Sequence, residues 1–218
     1  MKLQKGILAV VVASSLAFTA CKCEKKEGIA VAPAEETLSV DTNADDVPVA
    51  KLDADGNYIY DIGNNLEIAL PDGSKMSVGE NSTENKLFTM LNDANFAVSD
   101  DKTQGWVTLD RVYFSTGKAE LTPNSEAQVA NLITLLKAYP TATIKVGGYT
   151  DNTGDAAVNQ RVSTERAKTI ADKIIAGGVE ASRIESEGYG AQHFVCAAND
   201  TDECKAQNRR VDIRITKK

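Results

Sequence analysis

Two residues of opposite charge, Asp151 and Arg166, offer the most specific chemistry in this 218-residue chain. Asp151 lies in a turn-forming run with Thr150, Asn152 and Gly154, directly after a β-branched segment. Arg166 lies on the helix expected to follow. An acid in the loop can accept hydrogen bonds from an ammonium group, and the planar fork of an arginine can hold a carboxylate through two parallel bonds. If both face one pocket, the pair suits a zwitterionic amino acid whose two groups are free. The same residue types also make surface ion pairs and helix caps, and residue type alone leaves those readings open.

The elements that must position the pair are legible around it. Thr143, Ile144 and Val146 favour a strand, and Gly147 and Gly148 allow close backbone approach at its exit. Asp155 is the expected N-cap of the next helix. The helix has a core stripe of Ala156, Gln160, Ser163, Ala167, Ile170, Ala171 and Ile174, apolar mainly in its second half. Asn159, Ser163 and Arg166 share a flank beside that stripe, so loop acid and helix base can address one pocket.

The run GGYTDNTG, then Asn159, then Ser163, Thr164, Glu165, Arg166 and Ala167, then Asn208, Arg209, Arg210 and Val211 resemble the signature of the OmpA-like peptidoglycan-binding domain. The resemblance covers about Trp106 to Lys218. It implies an α/β sandwich in which Asp151 and Arg166 clasp the meso-diaminopimelate of a peptidoglycan stem peptide. Asn159 supports the site, and Thr150, Phe114 and Ser115 complete the implied ligand-binding set. Where the family often has an FDF-like strand the chain has Val112, Tyr113 and Phe114, with Ser115 at a common Asp position. Tyr149 and Val162 replace a frequent His and Leu. For Arg209 and Arg210, ligand contact and structural ion pairing both remain open.

Binding without bond breaking is expected, with no cofactor; the cysteine spacing and the single His193 argue against a metal site, and because a cross-link at the diaminopimelate amine removes its positive charge, un-cross-linked stems are expected to be preferred. An exported hydrolase would need a nucleophile and base, yet His193 stands alone and no nucleophile elbow is evident. The rival reading is an interaction or assembly module for other envelope proteins, since one fold serves many uses.

For residues 106–218 the expected order is β-α-β-α-β-β, a mixed four-stranded sheet of α+β type with helices on one face. Its strands are Trp106 to Phe114, Ala142 to Gly148, Arg183 to Gly188 and Arg210 to Thr216. The first helix is capped by Thr122 with Pro123 at its first position, and buries Ala127, Val129, Ala130, Leu132, Ile133 and Leu136. Tyr139-Pro140 ends it, and Gly177 and Gly178 stop the second helix. A ligand is expected outside the strand ends, where loops and helix N-termini gather.

Residues 51–105 read as a small β-rich accessory region, too small to be stable alone. Asn57 to Asp61, Leu66 to Leu70 and Lys75 to Val78 are strand-like, and Glu84 to Asn92 is a short helix. Asp53, Asp55 and Asn57 alternate like the start of an EF-hand loop. Glycine, however, comes fourth instead of sixth, and Asn64 stands where a bidentate Glu belongs, so an Asp-Gly turn is expected.

The N-terminus reads as an export signal. Lys2 and Lys5 precede an apolar run to Ala20 that is too short to span a bilayer stably. Phe18 to Cys21 resembles a lipobox, which implies acylation of Cys21 and an outer-membrane lipid anchor with the folded domain in the periplasm. Glu24 to Ala50 is a polar, aperiodic tether, about 90 Å long if fully extended and about 30 Å as a coil. Removing residues 1–20 leaves 22 basic against 31 acidic residues and moves the net charge from -7 to -9. Such a chain is disfavoured as a nucleic-acid binder. Cys196 and Cys204, with seven residues between them, are expected to pair in an oxidising compartment. Cys23 is left without a role.

Overall fold

Why the main sheet forms is plainest in β4 (Thr143–Gly148) and β6 (Val211–Lys217), where Ile144, Val146, Val211, Ile213 and Ile215 alternate with polar residues and are all buried. The structure is a computed structural model and describes residues 51–218. The export segment, Cys21, Cys23 and the tether lie outside those residues.

The remaining elements are β1 (Asn65–Ala69), β2 (Lys75–Gly79), α1 (Thr83–Asn92), β3 (Trp106–Thr108), α2 (Ser125–Ala138), α3 (Ala156–Ala176), β5 (Ile184–Gly188) and α4 (Asp202–Asn208). Strands β1 and β2 form an antiparallel hairpin. The main sheet is mixed, ordered β3-β6-β4-β5, with β6 antiparallel to both neighbours and β4 parallel to β5. The three strands other than β6 therefore run in one direction. Their C-terminal ends meet the start of β6 at one edge of the fold, and the loops there build the site.

Helices α2 and α3 supply the apolar layer through Leu132, Leu135, Ala167, Ile170 and Ile174, each at most 1% exposed. Two glycines set how closely α3 lies on the sheet. A side chain on Gly148 would meet the Ser163 carbonyl, and one on Gly188 would meet the Thr164 backbone nitrogen. Arg183 closes the far end, donating to the carbonyls of Leu136, Tyr139 and Ala142 where α2 stops. No helix among the described residues is long and apolar enough to cross a membrane.

Several expected boundaries move. The first main strand ends at Thr108, because the backbone turns at Asp110 and Arg111 to enter a polar cluster with α1 and α2. Helix α2 begins at Ser125, not at the expected Thr122–Pro123 start, since Thr122 accepts from the Ser125 amide in a preceding turn. On α2, Gln128 and Leu135 are buried while Ala127 and Ala130 are exposed. On α3 the buried face includes Asn159, Val162 and Arg166, leaving Ala156 and Gln160 exposed. That face is rotated toward the polar flank because the strand-exit loops cover it. Residues 57–61 form no strand and contribute a single bridge, Leu52 to Tyr58. Helix α4 is not anticipated by the sequence; its seven residues carry no apolar period, and the disulfide from Cys196 enters it at Cys204 in its first turn.

Residues 51–105 pack on the main domain through charge as well as apolar contact. Glu84, fully buried, accepts from Arg111, Gln128 and Asn131. Asp110 accepts from Gln128, from Arg111 and from the Thr83 amide at the start of α1. Each acceptor in this cluster has a partner, which offsets the desolvation of two buried acids.

Candidate functional site

The site begins with how α3 is entered. Asp155 accepts from the amides of Ala157 and Val158 and caps the helix as its position in the sequence suggests. One turn on, Asn159 donates from Nδ2 to the carbonyls of Thr153, at 3.1 Å, and Asp151, at 3.5 Å. The helix thereby holds the strand-exit loop in shape. Two turns on, Arg166 reaches back across the fold, only 7% exposed.

Arg166 is held on one side and open on the other. Its Nε donates to the Lys118 carbonyl at 3.0 Å, and its guanidinium lies 5.0 Å from the centre of the Phe114 ring. Neither Nη group has a hydrogen-bond partner among the described residues. Both Arg166 and Asp151 line a crevice of about 650 Å³ at the strand-end edge, together with Phe114 and Ser115. The acid and base singled out by residue type therefore share one opening.

Asp151 is more occupied than its sequence suggests. Its Oδ1 accepts from the Thr153 amide at 2.8 Å, and its Oδ2 from Arg209 Nη1 at 2.9 Å. Each oxygen keeps a second lone pair for a further donor. Burial pushes the Asp151 carboxyl up, but hydrogen bonds from Arg209 and Thr153 outweigh it and hold the group below the usual carboxylate range. Burial lowers the pKa of Arg166, the nearby charge of Arg209 lowers it further, and Asp151 works against both. An arginine so placed gains from an incoming anion.

The other candidates divide. Thr150 is buried behind the loop, its amide bonded to the Gly190 carbonyl and its hydroxyl without a partner, and it does not line the crevice. Asn159 acts on the loop. Both arginines left open by the sequence line the crevice, but Arg210 is largely buried, paired with Asp212 and with its guanidinium 3.9 Å from the centre of the Tyr149 ring. Tyr149, in place of the family's frequent His, packs between that arginine and Tyr189. Asn208 is fully buried, accepting from the amides of Val195 and Cys196 and donating to Cys196 and Asn199. It supports the loop closed by the Cys196–Cys204 disulfide.

What residue type did not reveal is the far wall. Asp55 and Asn57, from the DADGN stretch, line the same crevice. That stretch is an Asp-Gly turn: Asp53 accepts from the amides of Asp55 and Asn57, and Gly56 has φ 76°. Its local pattern signals a turn and carries no information about which surface the turn will meet.

A mixed sheet with two covering helices and an acid–base crevice at the strand ends defines an α/β sandwich domain. Residues 113–209 match the OmpA family. The chain is 40% identical over 107 residues to the "Probable lipoprotein YiaD" of Escherichia coli K12, a match covering 49% of this chain and 48% of that one. It is 38% identical over 109 residues to the "Peptidoglycan-binding protein ArfA" of Mycobacterium tuberculosis, covering 50% of this chain and 33% of that protein. The chain thus spans half or less of the length of these relatives. Among solved structures, the peptidoglycan-associated lipoprotein from Burkholderia pseudomallei aligns over 58% of this chain and 99% of its own, at 24% identity and a TM-score of 0.47.

Proposed function

We propose that this protein binds peptidoglycan without breaking bonds, taking the free diaminopimelate of a stem peptide in the crevice between Asp151 and Arg166. The observation that carries the reading is the pair of unengaged Nη groups of Arg166 facing an opening that Asp151 also lines. A ligand carboxylate would dock on the guanidinium through two parallel bonds, and the ligand ammonium would use the remaining lone pairs of Asp151. The name of the mycobacterial relative supports peptidoglycan as the polymer bound. Cross-linking at that amine removes its charge and a set of donors, so un-cross-linked stems are preferred.

In this reading the lipidated Cys21 anchors the chain in the outer membrane, and residues 24–50 let the periplasmic domain reach the wall. The name of the Escherichia coli relative supports the lipid anchor. Several acyl chains bury enough CH₂ for durable attachment. The test is retention on purified sacculi. Asp151→Ala and Arg166→Ala should each weaken binding by about 2 to 5 kcal/mol, since each leaves a desolvated charge without its partner. Undiminished retention of both variants overturns the proposal.

A further inference from the structure

Residues 53–60 lie outside the segment that matches the family, yet they form one wall of the crevice. Their turn is built before any ligand arrives. Asp53 holds Asn57 through both backbone and side chain, at 2.8 and 2.9 Å. The turn is fastened to the main domain at two points: Arg209 Nη2 donates to the Gly56 carbonyl at 3.0 Å, and the Tyr113 hydroxyl donates to the Tyr58 carbonyl at 2.9 Å. One guanidinium therefore joins Asp151 to the residue next to Asp55.

The Asp55 carboxylate has neither an ion pair nor a hydrogen bond among the described residues. Asp151, by contrast, already accepts from Arg209 and Thr153. Charge along the walls points the same way. Arg166, Arg209 and Lys205 face Asp151 and Asp202, while Arg210 is neutralised by Asp212. Without Asp55 the bases exceed the acids by one, and an incoming ammonium would meet net positive charge. With Asp55 the walls balance.

Resting on the stem-peptide reading above, we infer that Asp55 is a specificity-determining residue that receives the ligand ammonium together with Asp151, so that the accessory region completes the site. Arg166 then takes the carboxylate from the opposite wall. Discrimination between a free and a blocked amine resides in the two acids, and the turn places the second one.

The experiment measures affinity of the full chain for two probes by calorimetry. One is a stem tripeptide ending in meso-diaminopimelate, and the other is the same peptide acetylated on the side-chain amine. Asp55→Asn should keep the turn, because Asp53 makes its hydrogen bonds. It should weaken binding of the free-amine peptide about three- to fivefold, as for an exposed ion pair. The acetylated peptide should bind the variant as it binds the unchanged protein. Asp55→Lys should widen the loss for the free-amine peptide, and circular dichroism confirms that both variants fold. If Arg166→Ala loses both peptides while the Asp55 variants bind both unchanged, the wall reading stands and this inference fails. Equal losses for the two peptides also overturn it. If the unchanged protein binds neither peptide, the stem-peptide reading itself fails.

Discussion

The Glu84 cluster and the Asp151 cluster use the same side-chain types, carboxylates facing guanidinium groups with amides between them. They end in different states. Around Glu84 and Asp110 the carboxylate oxygens are occupied by Arg111, Gln128, Asn131 and the Thr83 amide, and Glu84 has no exposure at all. Around Asp151 and Arg166 the network stops short: Arg209 satisfies part of the acid, while Arg166 keeps both Nη groups open to a crevice. A closed network fastens one part of the chain to another. An unfinished one at a surface opening has room for a ligand that finishes it.

The largest expected effect of breaking this contrast is on stability. Glu84→Ala should lower unfolding free energy by about 3 kcal/mol, because Asn131 loses its buried acceptor and Gln128 one of its two, while Arg111 is partly exposed and rehydrates. Denaturant unfolding reads that loss, and sacculus retention of the folded variant should be unchanged. Arg166→Ala should show the opposite pattern, with retention lost and unfolding altered by no more than about 1 kcal/mol.

An intermediate effect concerns pH. The folded-state pKa of Asp151 lies below its ordinary value of 3.8, so its contribution to stability is complete above that value and is lost as pH falls through the folded pKa. Retention on sacculi should accordingly hold from neutral pH down to about 4. In Arg209→Ala the hydrogen bond is gone and burial dominates, so the pKa rises and retention should fail at a higher pH than in the unchanged protein. A retention series in graded buffers checks the direction. Coincident pH profiles would show that Arg209 is not what keeps the acid ionised.

The smallest expected effect comes from Tyr113→Phe, which removes the hydroxyl shared between the Tyr58 and Asp110 carbonyls. It should cost about 1 kcal/mol in unfolding. It should also reduce retention less than Arg166→Ala does, since the turn keeps its bond to Arg209.

Much of the main domain could be read from residue order alone, for local reasons. Alternating Ile144 and Val146, the Asp155 cap and the Ile170–Ile174 spacing are each decided within a few residues, so strand, cap and helix appear where expected. Asp151 and Arg166 could be paired because a strand, a short loop and a helix leave few ways to arrange the two. The extra helix α4 and the shortened β3 were not legible. Neither has a periodic pattern; α4 is tied through Cys204 to Cys196 just before it, and β3 is cut short where the chain enters the Glu84 cluster, whose partners lie far along the chain.

The sequence by itself determined the elements, the acid, the base and their order, since propensity, capping and apolar period act over distances of a turn or two. Only the tertiary structure decided that Arg209 would share Asp151, that Arg210 would be buried against Asp212, and that a turn some 100 residues earlier would bring Asp55 to the same opening. Those outcomes follow from long-range packing, where a side chain's partner is set by the surfaces that meet and not by its neighbours in the chain.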